Sequence, residues 1–185
     1  MKYFFDTEFQ DDGDTIDLIS IGIVSENRRE FYAVSTEARL HRCEPWLREH
    51  VLPQLPPYSD PSWMTRAQIK EGIMRFIGDD RMPQFYAYYA DYDWVAFCHL
   101  FGKMIDLPHF FPKFCMDLKQ ISEMVGSPTH PKQAKGEHNA LDDARWNRDL
   151  HDFLMKHVKK KIDSRCLALR VLDESMHVTN CSCKV

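Results

Sequence analysis

The sequence predicts an α/β protein whose mixed β-sheet combines an antiparallel three-strand meander with parallel strands and is flanked by helices. Two observations lead to this fold class. Three strand-like segments joined by short turns open the chain, and later strand-like segments alternate with helical ones. Short turns connect antiparallel neighbours, whereas parallel neighbours need helical crossovers. A length of 185 residues agrees with a single domain that buries a sufficient core without disulfides.

The predicted meander occupies the N-terminal part of the chain. Its strands are Lys2–Phe5, Ile16–Val24, which is rich in β-branched residues, and Glu30–Val34. The Asp-Asp-Gly-Asp segment at 11–14 and the segment Ser25–Arg28 supply turn residues between them. We therefore expect three neighbouring antiparallel strands.

The rest of the chain is predicted to alternate between helices and strands. Thr65 and Gln68 form a capping-box pattern, and Gly102 and Gly126 end two further helices. The expected elements are a helix from Trp46 to Val51, a helix after Thr65, a strand over Phe85–Ala90, a helix over Trp94–Phe101, a strand over Phe114–Met116, a helix from Asp117 to Gly126, a loop over Ser127–Glu137 and a long helix from Asn139 to Lys160. This order is the layout of the ribonuclease H-like fold.

Composition and charge exclude several classes of protein. Apolar residues make up 44% of the chain and charged residues 28%, which is typical of globular domains and not of disordered chains. No apolar run approaches the ~18 residues of a membrane helix, and Asp6 interrupts the apolar segment that a signal peptide needs. We therefore expect a cytoplasmic protein with no membrane partner.

Charge is distributed unevenly along the chain. The net charge of −4 argues against binding nucleic acid by bulk electrostatics. However, residues 1–30 contain eight acids, and residues 132–170 contain ten bases against six acids. Each run alone is typical of a solvated surface. Together, an acidic centre beside a basic rim also suits a metal-dependent enzyme that acts on a phosphate backbone.

Asp6 and Glu8 are the first candidate site residues. They lie two apart on a strand-like segment that follows the first predicted strand, so we expect their side chains to point to the same face. At ~6 Å and an effective dielectric of ~20, two such charges repel by roughly 3 kcal/mol. Exposed acids tolerate this repulsion, but the flanking residues Phe4, Phe5 and Phe9 suggest a half-buried setting. There the pair must bind a cation or take up a proton.

Asp143 is the third candidate, and its position on a helical wheel distinguishes it from Asp142. Asp143 shares the apolar stripe of Asn147, Leu150 and Leu154, whereas Asp142 falls on a charged face that we expect to be solvated. A carboxylate on a buried stripe needs a partner, such as a metal ion, an arginine or backbone N–H groups.

Asp93 and His138 complete the candidate set. Asp93 follows a predicted strand and opens a helix, where an ordinary N-cap is the alternative. His138 lies five residues before Asp143, where a surface or capping histidine is the alternative. Read with Asp6 and Glu8, these residues could converge at one edge of the sheet.

Three motifs resemble those of the DEDDh 3′–5′ exonuclease superfamily, which includes ribonuclease T, oligoribonuclease and the proofreading subunit of bacterial DNA polymerase III. Other segments are more similar to a small bacterial and phage group, the polyadenylate-specific-type 3′-exoribonucleases. The motifs are Phe5-Asp6-Thr7-Glu8-Phe9, Tyr92-Asp93 and His138-Asn139-Ala140-Leu141-Asp142-Asp143-Ala144, and the other segments are Leu18–Val24, Phe31–Ser35 and Tyr92–Gly102.

The resemblance has one departure and a limited extent. Tyr88 and Tyr89 replace an Asn that often precedes the second Asp, which leaves Asp91 as a competitor for the Asp93 role. We expect an exonuclease domain over residues 1–163 and a C-terminal tail over 164–185, for which the superfamily offers no counterpart.

The resemblance implies a ligand set and a mechanism. Two divalent cations, Mg²⁺ or Mn²⁺, suit an all-carboxylate site. Asp6 would bridge both ions, Glu8 and Asp143 would hold the catalytic one, and Asp93 would bind directly or through water. His138 would act as the general base.

Candidate substrate contacts lie close to these motifs. Thr7 and Phe9 neighbour the carboxylates, and Phe9 would stack on the terminal base unless it belongs to the core. Lys132 and Lys135 would contact phosphates, the alternative being solvated lysines in a loop.

The favoured function is a metal-dependent 3′–5′ exoribonuclease that releases nucleoside 5′-monophosphates. The expected partners are RNA, as a single strand or as a duplex with a 3′ overhang, or single-stranded DNA, and a second copy of the chain in a homodimer. The alternatives are a DNA-directed exonuclease, a catalytically silent nucleic-acid-binding relative, and an endonucleolytic ribonuclease H or resolvase-type enzyme. The complete acidic set and the His-x4-Asp spacing favour the exonuclease.

Overall fold

The computed structural model describes residues 1–133 and 137–179, with residues 165–179 described as helix backbone only. The strands are β1 (Lys2–Asp11), β2 (Ile16–Ser25), β3 (Glu30–Ser35), β4 (Trp63–Met64), β5 (Gln84–Ala87) and β6 (Met116–Asp117). The helices are α1 (Pro45–His50), α2 (Arg66–Ile77), α3 (Asp91–His99), α4 (Leu118–Val125) and α5 (Ala140–Thr179). The strands form one mixed sheet in the order β4-β3-β2-β1-β5-β6, which confirms the predicted fold class.

The antiparallel meander forms as predicted, but β1 is longer than expected. The predicted end at Phe5 is wrong, because β2 pairs with β1 as far as Asp11. Asp6 therefore lies opposite Gly22 within a paired strand, and β5 joins the other side of β1 in parallel.

Several element boundaries differ from the predictions. The two-residue strand β4, parallel to β3, is too short to leave a sequence pattern. Strand β5 ends at Ala87 instead of Ala90, since the backbone turns at Tyr89 with a φ of 56°. Helix α3 then begins at Asp91, three residues earlier than predicted. The Thr65 capping box is confirmed, because its side chain accepts from Gln68 N while the Gln68 side chain accepts from Thr65 N.

Helix α5 has 40 residues and continues to Thr179, so its predicted end at Lys160 is wrong. Residues 161–179 contain neither Gly nor Pro, and nothing in that segment breaks the helix. The helix crosses the expected boundary at 163/164, and the domain division stays a prediction. No helix in the described part of the chain is both long and apolar enough to cross a membrane.

The sheet carries apolar residues on both faces. Tyr3 and Phe5 of β1 belong to a core cluster with Ile73 of α2 and Phe97 of α3. Phe4 points to the opposite face and packs in a cluster with residues of α5. Because side chains alternate along a strand, Asp6 and Glu8 share the face of Phe4. The fold thus directs both carboxylates toward α5.

Candidate active site

Asp6, Glu8 and Asp143 form a carboxylate cluster at the junction of β1 and α5. One oxygen of each residue lies within 4.8 Å of the others. Glu8 is only 9% exposed, and Asp6 is partly buried. The structure thus brings together three of the four carboxylates that the sequence singled out.

Gly22 allows α5 to approach the sheet closely enough to deliver Asp143. A Cβ at Gly22 would lie 2.3 Å from the carbonyl oxygen of Ala140 and 2.4 Å from Cα of Leu141. The first turn of α5 therefore lies directly on the backbone of β2, across from Asp6. Sequence analysis missed this residue, although an isolated Gly inside an apolar strand is a recognised sign of close backbone approach.

The buried face of α5 is the one that the helical wheel predicts. Asn147, Leu150 and Leu154 are buried, and Asn147 Nδ2 donates a 2.9 Å hydrogen bond to the carbonyl of Phe5. Asp142 lies off this stripe, as predicted, but it is not a solvated residue. Its side chain is only 18% exposed, because Arg145 pairs with it.

Polar groups from the preceding segment hold Asp143. Gln133 Nε2 donates to Oδ1 at 2.6 Å, and the backbone N–H of His138 donates to Oδ2 at 3.0 Å. Nothing in the sequence pattern pointed to Gln133. Asn139 caps α5, since its Oδ1 accepts from the backbone N–H groups of Leu141 and Asp142 at 3.1 and 3.2 Å. The His138 side chain therefore has no capping role.

Asp93 is buried beside the three carboxylates and is held by Thr7. Its Oδ1 accepts from Thr7 N at 2.8 Å and from Thr7 Oγ1 at 2.6 Å. Because β5 pairs with β1 only as far as Phe4, the Thr7 N–H has no strand partner on that side. The N-cap alternative for Asp93 is wrong, since α3 begins at Asp91, which is itself exposed.

Burial raises the pKa of all four carboxyl groups. The pKa of Asp6 is raised well above its ordinary value by burial and then by its acidic neighbours. Burial and the charges of Asp143 and Asp93 raise the pKa of Glu8 to about 8. The pKa of Asp93 is raised to about 6, mainly by burial, although the Thr7 hydrogen bonds oppose the shift. Burial also raises the pKa of Asp143, against the hydrogen bond from Gln133.

The chemistry of this carboxylate cluster suits the binding of divalent cations. Within the described residues, none of the four carboxylates forms a salt bridge with a lysine or arginine. At neutral pH such a cluster must hold protons or bind positive charge. All of its donor atoms are carboxylate oxygens, which Mg²⁺ and Mn²⁺ prefer as ligands.

His138 contacts the carboxylate cluster through its backbone N–H, which bonds Asp143, and its side chain is not among the clustered groups. Its ring packs edge-on against Trp46, with 4.7 Å between ring centroids, and its side chain is 34% exposed. No sequence pattern indicates the Trp46 contact, because it joins segments far apart in the chain.

The candidate substrate residues have different surroundings. Phe9 stacks on Tyr92 with ring centroids 5.8 Å apart, and Tyr92 is 52% exposed. Thr7 is buried and its hydroxyl is used by Asp93. Lys132 is exposed and lines a cavity of about 370 Å³ beside Gln133. Lys135 lies outside the described residues.

Comparisons with known proteins show the family of this chain. A family model described as the 3′-5′ exoribonuclease Rv2179c-like domain matches residues 1–155. Two proteins of Mycobacterium tuberculosis, the 3′-5′ exoribonuclease Rv2179c of strain H37Rv and the 3′-5′ exoribonuclease MT2234.1 of strain CDC 1551, are each 47% identical over 148 residues. Each alignment covers 78% of this chain and 88% of the relative.

A solved structure, that of cell-death related nuclease 4 (CRN-4), is also similar. It has a TM-score of 0.47 and 13% identity, over 84% of this chain and 63% of that one. The family match, in contrast, extends over residues 1–155, which is most of this chain. The chain therefore belongs to the Rv2179c-like family of 3′-5′ exoribonuclease domains.

Proposed function

We propose that this protein is a metal-dependent exoribonuclease of the DEDDh type with a ribonuclease H-like fold. It hydrolyses RNA from the 3′ end and releases nucleoside 5′-monophosphates. The observation that carries the proposal is the convergence of Asp6, Glu8 and Asp143 oxygens within 4.8 Å in a chain of an exoribonuclease family.

The carboxylates hold two divalent ions, Mg²⁺ or Mn²⁺. By resemblance, Asp6 would contact both ions, Glu8 and Asp143 would hold the catalytic one, and Asp93 would complete the ligand set directly or through water. When bound, the ions supply positive charge that stabilises the scissile phosphate and the attacking water. Gln133 and the His138 N–H keep the Asp143 carboxylate oriented toward the site.

His138 serves as the general base. Its imidazole accepts the proton of the attacking water, a task that histidine performs more often than other side chains. Two features support this role. The side chain is partly exposed on a residue whose backbone N–H bonds Asp143, and Asn139, not His138, caps the start of α5.

The substrate strand is held by aromatic and basic side chains. Phe9, stacked on Tyr92, offers a ring face to the terminal base, and Lys132 and Lys135 contact phosphates. RNA is the proposed substrate, following the sequence resemblance. Cleavage of single-stranded DNA, use of duplexes with a 3′ overhang, and a homodimer stay predictions.

The test is nuclease activity on 5′-end-labelled RNA and on a DNA of matched sequence. With Mn²⁺ we expect a ladder that shortens from the 3′ end of the RNA, and with EDTA no cleavage. Asp6→Asn should be inactive, while Asp142→Asn, the matched control, stays active. Internal cuts would instead indicate an endonuclease, and no cleavage under any condition would indicate a silent relative.

The His138 role needs a separate variant. His138→Ala should lose about 10²–10⁴-fold in turnover, the usual contribution of a general base. Metal binding, followed by calorimetry, should be unchanged because the carboxylate ligands are intact. Wild-type turnover in this variant would contradict the role of His138 while leaving the metal site in place.

A further inference from the structure

The segment that carries His138 is tied to α1 and to the short 3-10 turn that follows it. Gln54 Nε2, from that turn, donates to the carbonyl of Glu137 at 2.6 Å and to the carbonyl of His50 at 2.9 Å. On its other side, the His138 N–H donates to Asp143. The backbone of residues 137 and 138 is therefore anchored to both α1 and α5.

An aromatic pair on α1 supports the His138 ring. Trp46 and His50 stack on each other with 4.8 Å between centroids and 14° between planes. His50 Nδ1 also hydrogen-bonds the carbonyl of Trp46 at 2.9 Å, which fixes the pair one helical turn apart. The His138 ring meets this pair nearly perpendicularly, at 4.7 Å from Trp46 and 6.0 Å from His50. Edge-to-face contacts of this kind are favourable.

The backbone of His138 needs this support. Its φ of 73° lies in the left-handed region, which is disfavoured for any residue with a Cβ. A residue keeps such a conformation only where its surroundings fix it. Here the Gln54 bond to the neighbouring Glu137 carbonyl, the bond from the His138 N–H to Asp143 and the Trp46 ring contact all restrain it.

Trp46 is not a core residue. It is 49% exposed, and its ring contacts within the described residues are those with His50 and His138. It belongs to none of the three apolar core clusters of the described residues. Its position is explained by the ring that it contacts.

We propose that Trp46 is a positioning residue that holds the His138 imidazole beside the Asp6, Glu8 and Asp143 carboxylates for proton abstraction. This inference rests on the proposed function, since it concerns the same general base. The rival role for an exposed tryptophan here is direct stacking on a nucleotide. Positioning affects kcat, whereas nucleotide stacking affects KM.

The experiment is a double-mutant cycle measured on RNA with Mn²⁺. Trp46→Ala should lower kcat by on the order of tenfold to a hundredfold, with KM and melting temperature unchanged. Trp46→Phe, which keeps an aromatic face under His138, should recover most of that loss. In the His138→Ala background, Trp46→Ala should cause no further loss, because Trp46 acts through the histidine. Tyr58→Ala removes another exposed aromatic residue, 71% exposed, and serves as the control.

Each outcome supports or overturns the inference. Additive losses in the cycle, a raised KM with normal kcat, or normal kinetics in Trp46→Ala would overturn it. The NMR signals of the His138 ring give a readout that is independent of activity. They should move when Trp46 becomes Ala and stay near wild type with Phe, and unmoved signals would also overturn it. If His138→Ala itself is fully active, the proposed role of His138 as general base fails. If His138→Ala is impaired but Trp46→Ala has normal kinetics, only the positioning inference fails.

Discussion

Replacing Glu8 by Gln should stabilise the metal-free protein at neutral pH. Glu8 is 9% exposed, and burial together with Asp143 and Asp93 raises its pKa to about 8. Without a cation, the folded protein must therefore keep this carboxyl group protonated at pH 7. The unfolded chain has no such requirement.

The pH dependence follows from the direction of the shift. Because the pKa rises from 4.5 to about 8 on folding, the folded state binds more protons than the unfolded state between these values. Stability is therefore full below pH 4.5 and is lost as the pH rises toward 8. At pH 7 the loss is on the order of 3 kcal/mol. Gln does not titrate and avoids this loss, although its buried amide recovers only part of it. We expect a gain of about 1 kcal/mol or more, which raises the melting temperature by about 2–4 °C per kcal/mol.

The assay is thermal unfolding in EDTA at pH 5 and pH 7.5. Glu8→Gln should melt above wild type at pH 7.5, with a smaller difference at pH 5. Asp142→Asn is the matched control, since it removes an acid that Arg145 already pairs, and it should melt no higher than wild type. Mn²⁺ should stabilise wild type more than Glu8→Gln. A variant that melts at or below wild type at pH 7.5, or a difference independent of pH, would refute the reasoning.

Three further predictions concern α5. Asp143→Asn should abolish nuclease activity, whereas Asp142→Asn should keep most of it. Equal losses in a side-by-side assay would mean that the two acids share one role. Gly22→Ala should lower both activity and melting temperature, since its Cβ would lie 2.3 Å from the Ala140 carbonyl oxygen and push α5 away; normal activity would show that the approach is not required. A chain that ends before Ser164 should keep its activity, because every proposed site residue precedes that point; a truncated protein that melts normally but cleaves no RNA would contradict this.

The sequence by itself determined the features that depend on local periodicity. The two-residue period of a strand put Asp6 and Glu8 on one face, and the helical period placed Asp143, but not Asp142, on the buried stripe of α5. The Thr65 capping box was equally readable, because its hydrogen bonds join residues three apart. These features needed no knowledge of what packs against each element.

Only the tertiary structure decided how far apart the elements lie and which distant groups meet. Asp93 binds Thr7 across 86 positions in sequence, and the Trp46 contact with His138 likewise joins distant segments. The length of β1 was set by β2, which pairs with acidic residues that have little strand preference of their own. Periodicity fixes the direction of a side chain relative to its own element. The distances between the residues of the carboxylate cluster depend on how closely α5 packs on Gly22. That packing is a property of the folded chain as a whole.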